Sequence, residues 1–142
     1  MKLPPALSEQ HIIDRLNRFE IETPSWGYAD TGTRFGKFLQ DAAAATIEEK
    51  LADAAAVHGV TGCCPRVAVH VLWDFPGGGG FEPRAVAAVG ERAKSLGLRI
   101  GSINPNLFQD QCYKLGSVTN RDPAIRRRAI GHMIESIRLG TL

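Results

Sequence analysis

His70 stands three residues before Trp73 and four before Asp74, and Trp26 closes an upstream cluster with Pro24 and Ser25. An imidazole can hold or protonate a hydroxyl or carbonyl oxygen, and indoles supply the apolar wall of a small-ligand pocket. The clusters Pro24-Ser25-Trp26-Gly27 and His70-Val71-Leu72-Trp73-Asp74 each lie just past a run that reads as a buried strand. In parallel α/β proteins chemistry gathers at the carboxyl ends of strands, so both clusters point to a ligand pocket. Each residue has a competing reading: His70 as a hydrogen-bonded core residue, and Trp26, Trp73 and Phe35 as core packing. Three aromatics on loops at one end of a sheet weigh against core packing for the set. Asn104 and Asn106 follow a third strand at the same end, Asn106 reading as local turn chemistry. His11, His58 and His132 fall on helical stretches and read as structural or surface residues away from this edge. As metal ligands only His70 and Asp74 qualify, too few to hold a catalytic divalent ion.

The elements that must position these residues alternate in type. Ser8 is placed to cap a helix reaching Arg18, with Ile12, Ile13 and Leu16 on one face. Phe19 to Thr23 reads as a short strand ended by Pro24, and a long connection follows through Gly27, Gly32, Arg34, Phe35 and Gly36. Thr46-Ile47-Glu48-Glu49 has capping-box spacing, which predicts a helix to about His58 that buries Ile47, Leu51 and Ala55 and ends on a left-handed Gly59. The valine-rich run Arg66 to Leu72 suits a parallel strand buried on both faces. Gly77 to Gly80 lack the Lys and Ser/Thr that a phosphate loop needs, and read as a mobile tip. Pro83 to Leu96 forms the next helix, with Val86, Val89, Ala93 and Leu96 inward and Gly97 as the stop. Leu98 to Ile103 is the third strand. Asp122-Pro123 opens a last helix reaching Leu139, with Ile125, Ala129, Met133 and Ile137 recurring every four residues and Ile130 and Ile134 beside them.

The expected fold class is therefore α/β, with three strand-helix units behind an N-terminal helix and a spacing of about 30 residues between the second and third strands. Three units do not close a barrel, which takes eight strands, and they leave an apolar sheet edge. Such a chain is the front part of a longer protein, an open three-layer sheet, or a sheet whose edge is paired in an oligomer. With 44% hydrophobic and 23% charged residues it has the composition of one folded unit rather than a disordered chain. The formal net charge is +2, and only Arg126-Arg127-Arg128 cluster, inside a helical pattern, so no nucleic-acid partner is expected. No segment approaches the roughly 18 apolar residues of a membrane span and no secretory leader pattern opens the chain, so a cytoplasmic protein without a membrane partner is expected. Cys63, Cys64 and Cys112 read as reduced thiols, with spacing poor for zinc.

Five ordered motifs carry a family resemblance: Phe19-Glu20-Ile21-Glu22-Thr23-Pro24-Ser25-Trp26-Gly27, Gly32-Thr33-Arg34-Phe35, Val69-His70-Val71-Leu72-Trp73-Asp74, Asn104 to Phe108, and Tyr113-Lys114-Leu115-Gly116-Ser117. Together they resemble the N-terminal part of the L-rhamnose isomerase and related sugar isomerase group, which belongs to the xylose isomerase-like TIM barrels. The resemblance implies that residues 1–142 are the N-terminal part of a single barrel domain, incomplete as it stands. It also implies an aldose–ketose isomerase acting on L-rhamnose or a similar sugar with Mn2+ or another divalent metal, usually as a tetramer. The counterparts of Trp26, Phe35, His70 and Trp73 line the sugar pocket in that group, the histidine bonding to the sugar and the aromatics forming its apolar wall. Phe108 resembles the loop aromatic that in some members reaches a neighbouring subunit's site. The metal-binding and acid-base residues of the group lie on later strands, so this chain alone is expected to hold no metal and to supply no catalytic residue.

Two other functions compete with this one. A sugar epimerase of the same barrel superfamily would share fold and metal but differ in its acid-base groups. A non-catalytic truncated module would associate through its sheet edge.

Overall fold

The computed structural model describes residues 8–29, 41–75 and 82–141. Phe35, with the Gly32 to Phe35 motif, and the Gly77 to Gly80 loop lie outside the described residues. Within them, β1 (Glu22–Pro24), β2 (Arg66–His70) and β3 (Arg99–Asn104) form a parallel sheet in the order β1-β2-β3. Helix α1 (Glu9–Asn17) precedes the sheet, and α2 (Ile47–Thr61), α3 (Pro83–Ser95) and α4 (Pro123–Leu139) each follow a strand. The class is α/β, built of consecutive strand-helix units.

The central strand sorts its side chains by the two-residue period of extended backbone. Val67 and Val69, with Val71 just beyond, are fully buried and pack with Leu51 and Ala54 of α2, Val86, Val89 and Ala93 of α3, and Leu139 of α4. Burial of each such valine stabilises the fold by about 2 kcal/mol. Arg66, Ala68 and His70 fall on the opposite face. At its amino end Glu20 bonds to Arg66 and Arg99, which hold its carboxyl below the ordinary range. Glu22 reaches across to the N–H and hydroxyl of Ser102, passing over Gly101, where a Cβ would collide with its carboxylate. His70 occupies the carboxyl end of this face. Val67 pairs with Ile100 and Val69 with Ile103, so β3 carries one extra residue there, and both isoleucines turn toward the same core.

Several boundaries differ from the sequence expectation. β1 begins at Glu22 and includes Pro24, which an edge strand tolerates because its missing N–H faces no neighbour; Phe19 and Ile21 remain exposed. β2 stops at His70, and Val71 to Trp73 form a turn. β3 runs from Arg99 to Asn104 rather than from Leu98 to Ile103. α2 continues through Gly59 to Thr61, and the left-handed cap is Gly62, with φ 69°. On α1, Ile12, Ile13 and Leu16 are all exposed and the helix buries no residue. On α4 the inward residues are Ala129, Ser136 and Leu139, while Ile130, Met133, Ile134 and Ile137 form an exposed stripe. No helix of the described residues is long and apolar enough to cross a membrane, and Cys63, Cys64 and Cys112 stand free.

The two glycines of α2 give a direct check. Nothing lies within 4 Å of a Cβ added at Gly59, so Gly59→Ala is expected to raise stability by about 1 kcal/mol through helix propensity. Gly62→Ala, forced into the left-handed region, is expected to lower it by about 1 kcal/mol. Urea unfolding of the two variants reads both signs; the opposite pair of signs would return the cap to Gly59.

Candidate functional site

The turn after β2 is closed by its own side chains. The N–H groups of Trp73 and Asp74 donate to the His70 carbonyl, and the Asp74 carboxylate folds back so that Oδ2 accepts the His70 N–H at 2.7 Å. The same oxygen accepts the Ser25 hydroxyl. Oδ1 receives the Lys50 ammonium at 2.8 Å, and that ammonium also donates to the Trp73 carbonyl at 3.3 Å. Lys50, Asp74, Ser25 and His70 are all buried, none more than 2% exposed. Asp74, one of the two metal-ligand candidates, is thus committed to closing a turn. Lys50 escaped the sequence reading, which named Ser25 only as a member of its cluster and gave it no bond to Asp74. The available signal was the helical face formed by Ile47, Lys50, Leu51 and Ala54 in α2, which places Lys50 inward beside the core residues.

His70 has one satisfied ring nitrogen and one that is not. Nδ1 accepts the Leu72 N–H at 3.2 Å, so the ring proton resides on Nε2, and that buried nitrogen has no hydrogen-bond partner. Burial pushes its pKa down to about 4, with Asp74 opposing and His132 and Lys50 adding to the fall. About one ring in 10³ is protonated at pH 7. At that pH His70 is a neutral donor that can hold an oxygen, rather than an acid that gives up a proton.

Of the five residues singled out from the sequence, Trp26, Trp73 and Phe108 surround the His70 donor. Trp73 stacks on the His70 ring, centroids 3.7 Å apart and planes 19° apart, and Trp26 approaches His70 and Trp73 edge-on at 6.3 and 6.0 Å. Phe108 meets His70 and Trp73 edge-on at 5.9 and 6.4 Å. Its ring therefore turns onto its own chain's wall, although it remains 63% exposed. The loop that carries Phe108 is tied down twice. Asn106 accepts the Gln109 N–H and donates to Asp110, the local turn role expected of it. The Asn106 N–H donates to His132 Nε2 at 2.9 Å. His132 is thus a structural residue, as its helical position suggests, but it sits beside this edge and not away from it. It also lines a cleft of about 440 Å³ with Val71, Leu72, Asn106 and Tyr113, whose lining does not include Trp26, Trp73 or Phe108.

Among the described residues no three His, Cys, Asp or Glu side chains gather as a metal site. With Asp74 occupied by Lys50, Ser25 and the His70 N–H, these residues do not fit the divalent ion that the family resemblance implies.

At the carboxyl ends of its parallel strands this α/β chain sets an aromatic wall around a buried donor, the combination from which small polar-ligand sites are built. The chain is 33% identical over 127 residues to a probable sugar isomerase of Rhizobium meliloti, covering 86% of this chain and 28% of that protein. It is 30% identical over 131 residues to a probable sugar isomerase of Mesorhizobium japonicum, covering 89% of this chain and 29% of that protein. The chain therefore spans less than a third of the length of these curated relatives, and the similarity supports a sugar isomerase group. No family model matches the chain.

Proposed function

We propose that residues 1–142 are the N-terminal segment of a xylose isomerase-like barrel, an aldose–ketose isomerase acting on L-rhamnose or a similar sugar. The observation that carries this reading is the unpartnered Nε2–H of His70 set among Trp26, Trp73 and Phe108. A sugar has both surfaces that such a wall selects: C–H faces that pack on aromatic rings and hydroxyl oxygens that accept from a buried donor. In this role His70 binds one sugar oxygen and orients the chain of hydroxyls, while the rings exclude water from that side. Phe35 belongs to the same wall in this reading.

Mn2+ or another divalent ion would supply Lewis-acid polarisation in the whole protein. Its ligands, and the acid-base groups, are residues that the described part of this chain does not supply. A cytoplasmic location, a homo-oligomer of tetrameric type, and the absence of nucleic-acid and membrane partners belong to the same proposal. The non-catalytic reading is a truncated module that associates through its sheet edge; the exposed stripe Ile130, Met133, Ile134 and Ile137 on α4 is a further apolar surface beside that edge.

Ketose formation from L-rhamnose with added manganese separates these readings. The full-length protein carrying this chain is expected to turn the sugar over, and the 142-residue chain alone is expected to give no ketose above a metal-only blank. Turnover by the isolated chain places catalytic groups within it; no turnover of any aldose by the full-length protein sinks the isomerase reading.

A further inference from the structure

Lys50 is 1% exposed on a helix face whose other members, Leu51 and Ala54, pack in the apolar core. Core cohesion does not need a charge there, since well-packed apolar residues replace buried ion pairs with little loss and often with gain. What an apolar pair lacks is direction. The bonds of Lys50 and Asp74 end on the Ser25 hydroxyl, the His70 N–H and the Trp73 carbonyl, which belong to or adjoin three rings of the aromatic wall. Asp74 Oδ2 holds the N–H of His70 itself and the hydroxyl of Ser25, the neighbour of Trp26. The Lys50 ammonium holds Asp74 Oδ1 and the carbonyl of Trp73.

We infer that Lys50, acting through Asp74, is a positioning residue that sets Trp26, His70 and Trp73 relative to one another, so that the His70 donor faces a sugar oxygen between apolar rings. The identity of the ligand rests on the sugar reading above; the positioning role does not.

Both tryptophans of the chain, Trp26 and Trp73, belong to this wall, so the indole bands of the near-ultraviolet circular dichroism report its geometry without background. The double variant Lys50→Met/Asp74→Asn removes the charges together and keeps an oxygen to accept from Ser25 and His70. In the 142-residue chain it is expected to lose about half of the indole band intensity while still unfolding cooperatively. In the full-length protein it is expected to raise KM for L-rhamnose roughly tenfold with kcat nearly unchanged. Ser25→Ala, which leaves the ion pair intact, is expected to lose a smaller part of the band, from Trp26. A double variant that folds with an unchanged indole band overturns the inference, and if that variant does not fold, an unchanged band in Ser25→Ala overturns it instead. A changed band with an unchanged KM leaves the positioning role standing and removes these rings from the sugar site.

Discussion

In the full-length protein His70→Asn is expected to lower kcat/KM for the sugar roughly 10²-fold, with the fold retained. The Nε2–H of His70 is buried without a partner, a condition that costs about 1–3 kcal/mol until an acceptor arrives. In the proposed site a sugar oxygen would relieve that cost on binding, and a shorter amide at position 70 would not reach it, leaving the oxygen unpaired against aromatic rings. The pH dependence of stability supplies a second reading of the same ring. Because burial brings its pKa from 6.5 to about 4, the unfolded chain binds the proton more tightly than the folded one. The stability this contributes, about 3 kcal/mol, is fully present above pH 6.5 and is lost as pH falls through that window toward 4. Urea unfolding of the wild-type chain at pH 7 and pH 4.5 should show the loss, and His70→Asn should show less of it. Normal sugar kinetics together with a lowered melting temperature in His70→Asn would identify a core histidine and nothing more.

Lys50→Met alone is expected to cost about 3–5 kcal/mol, because it leaves the Asp74 carboxylate buried at 2% exposure without its cation. Single domains have only about 5–15 kcal/mol in total, so this variant stands close to unfolding at room temperature. The asymmetry between one partner and both is the informative comparison. Pairing Lys50→Met with Asp74→Asn is expected to recover most of the loss, since no unpaired charge remains. Urea midpoints of the single and double variants measure it. A single variant that loses less than about 1 kcal/mol would show that the carboxylate is held by Ser25 and the His70 N–H without need of the ammonium.

Local chemistry made much of this fold legible in the sequence. The capping box of Thr46 and Glu49 forms as its spacing predicts, with the Glu49 carboxylate held below its ordinary range by the backbone N–H groups of Ala45 and Thr46. Ser8 caps α1, Asp122 with Pro123 opens α4, and Gly97 adopts a positive φ after α3. These outcomes depend on residues within one turn of each other, so the sequence alone determines them. The valine run of β2, and with it the placement of His70 at a strand's carboxyl end, rests on a two-residue period that is equally local.

Choices between locally equivalent options were settled by tertiary structure. Gly59 and Gly62 are both acceptable helix stops, and the chain continues to the second because Gly59 costs only about 1 kcal/mol inside a helix that packing already holds. The isoleucines of α4 mark a helix but not its buried face, since periodicity says that one side is apolar and not which surface is present to cover it. Lys50 looks like any helical lysine until the turn after β2 brings Asp74 to its ammonium from 24 residues away. The aromatic wall is of the same kind. Trp26, His70, Trp73 and Phe108 are separated by up to 82 positions, and only parallel pairing of the strands with a tied loop after β3 sets their rings against one donor. Residue types and local spacing name the chemistry available, whereas the burial that leaves His70 neutral with a free N–H depends on what the folded chain brings around it.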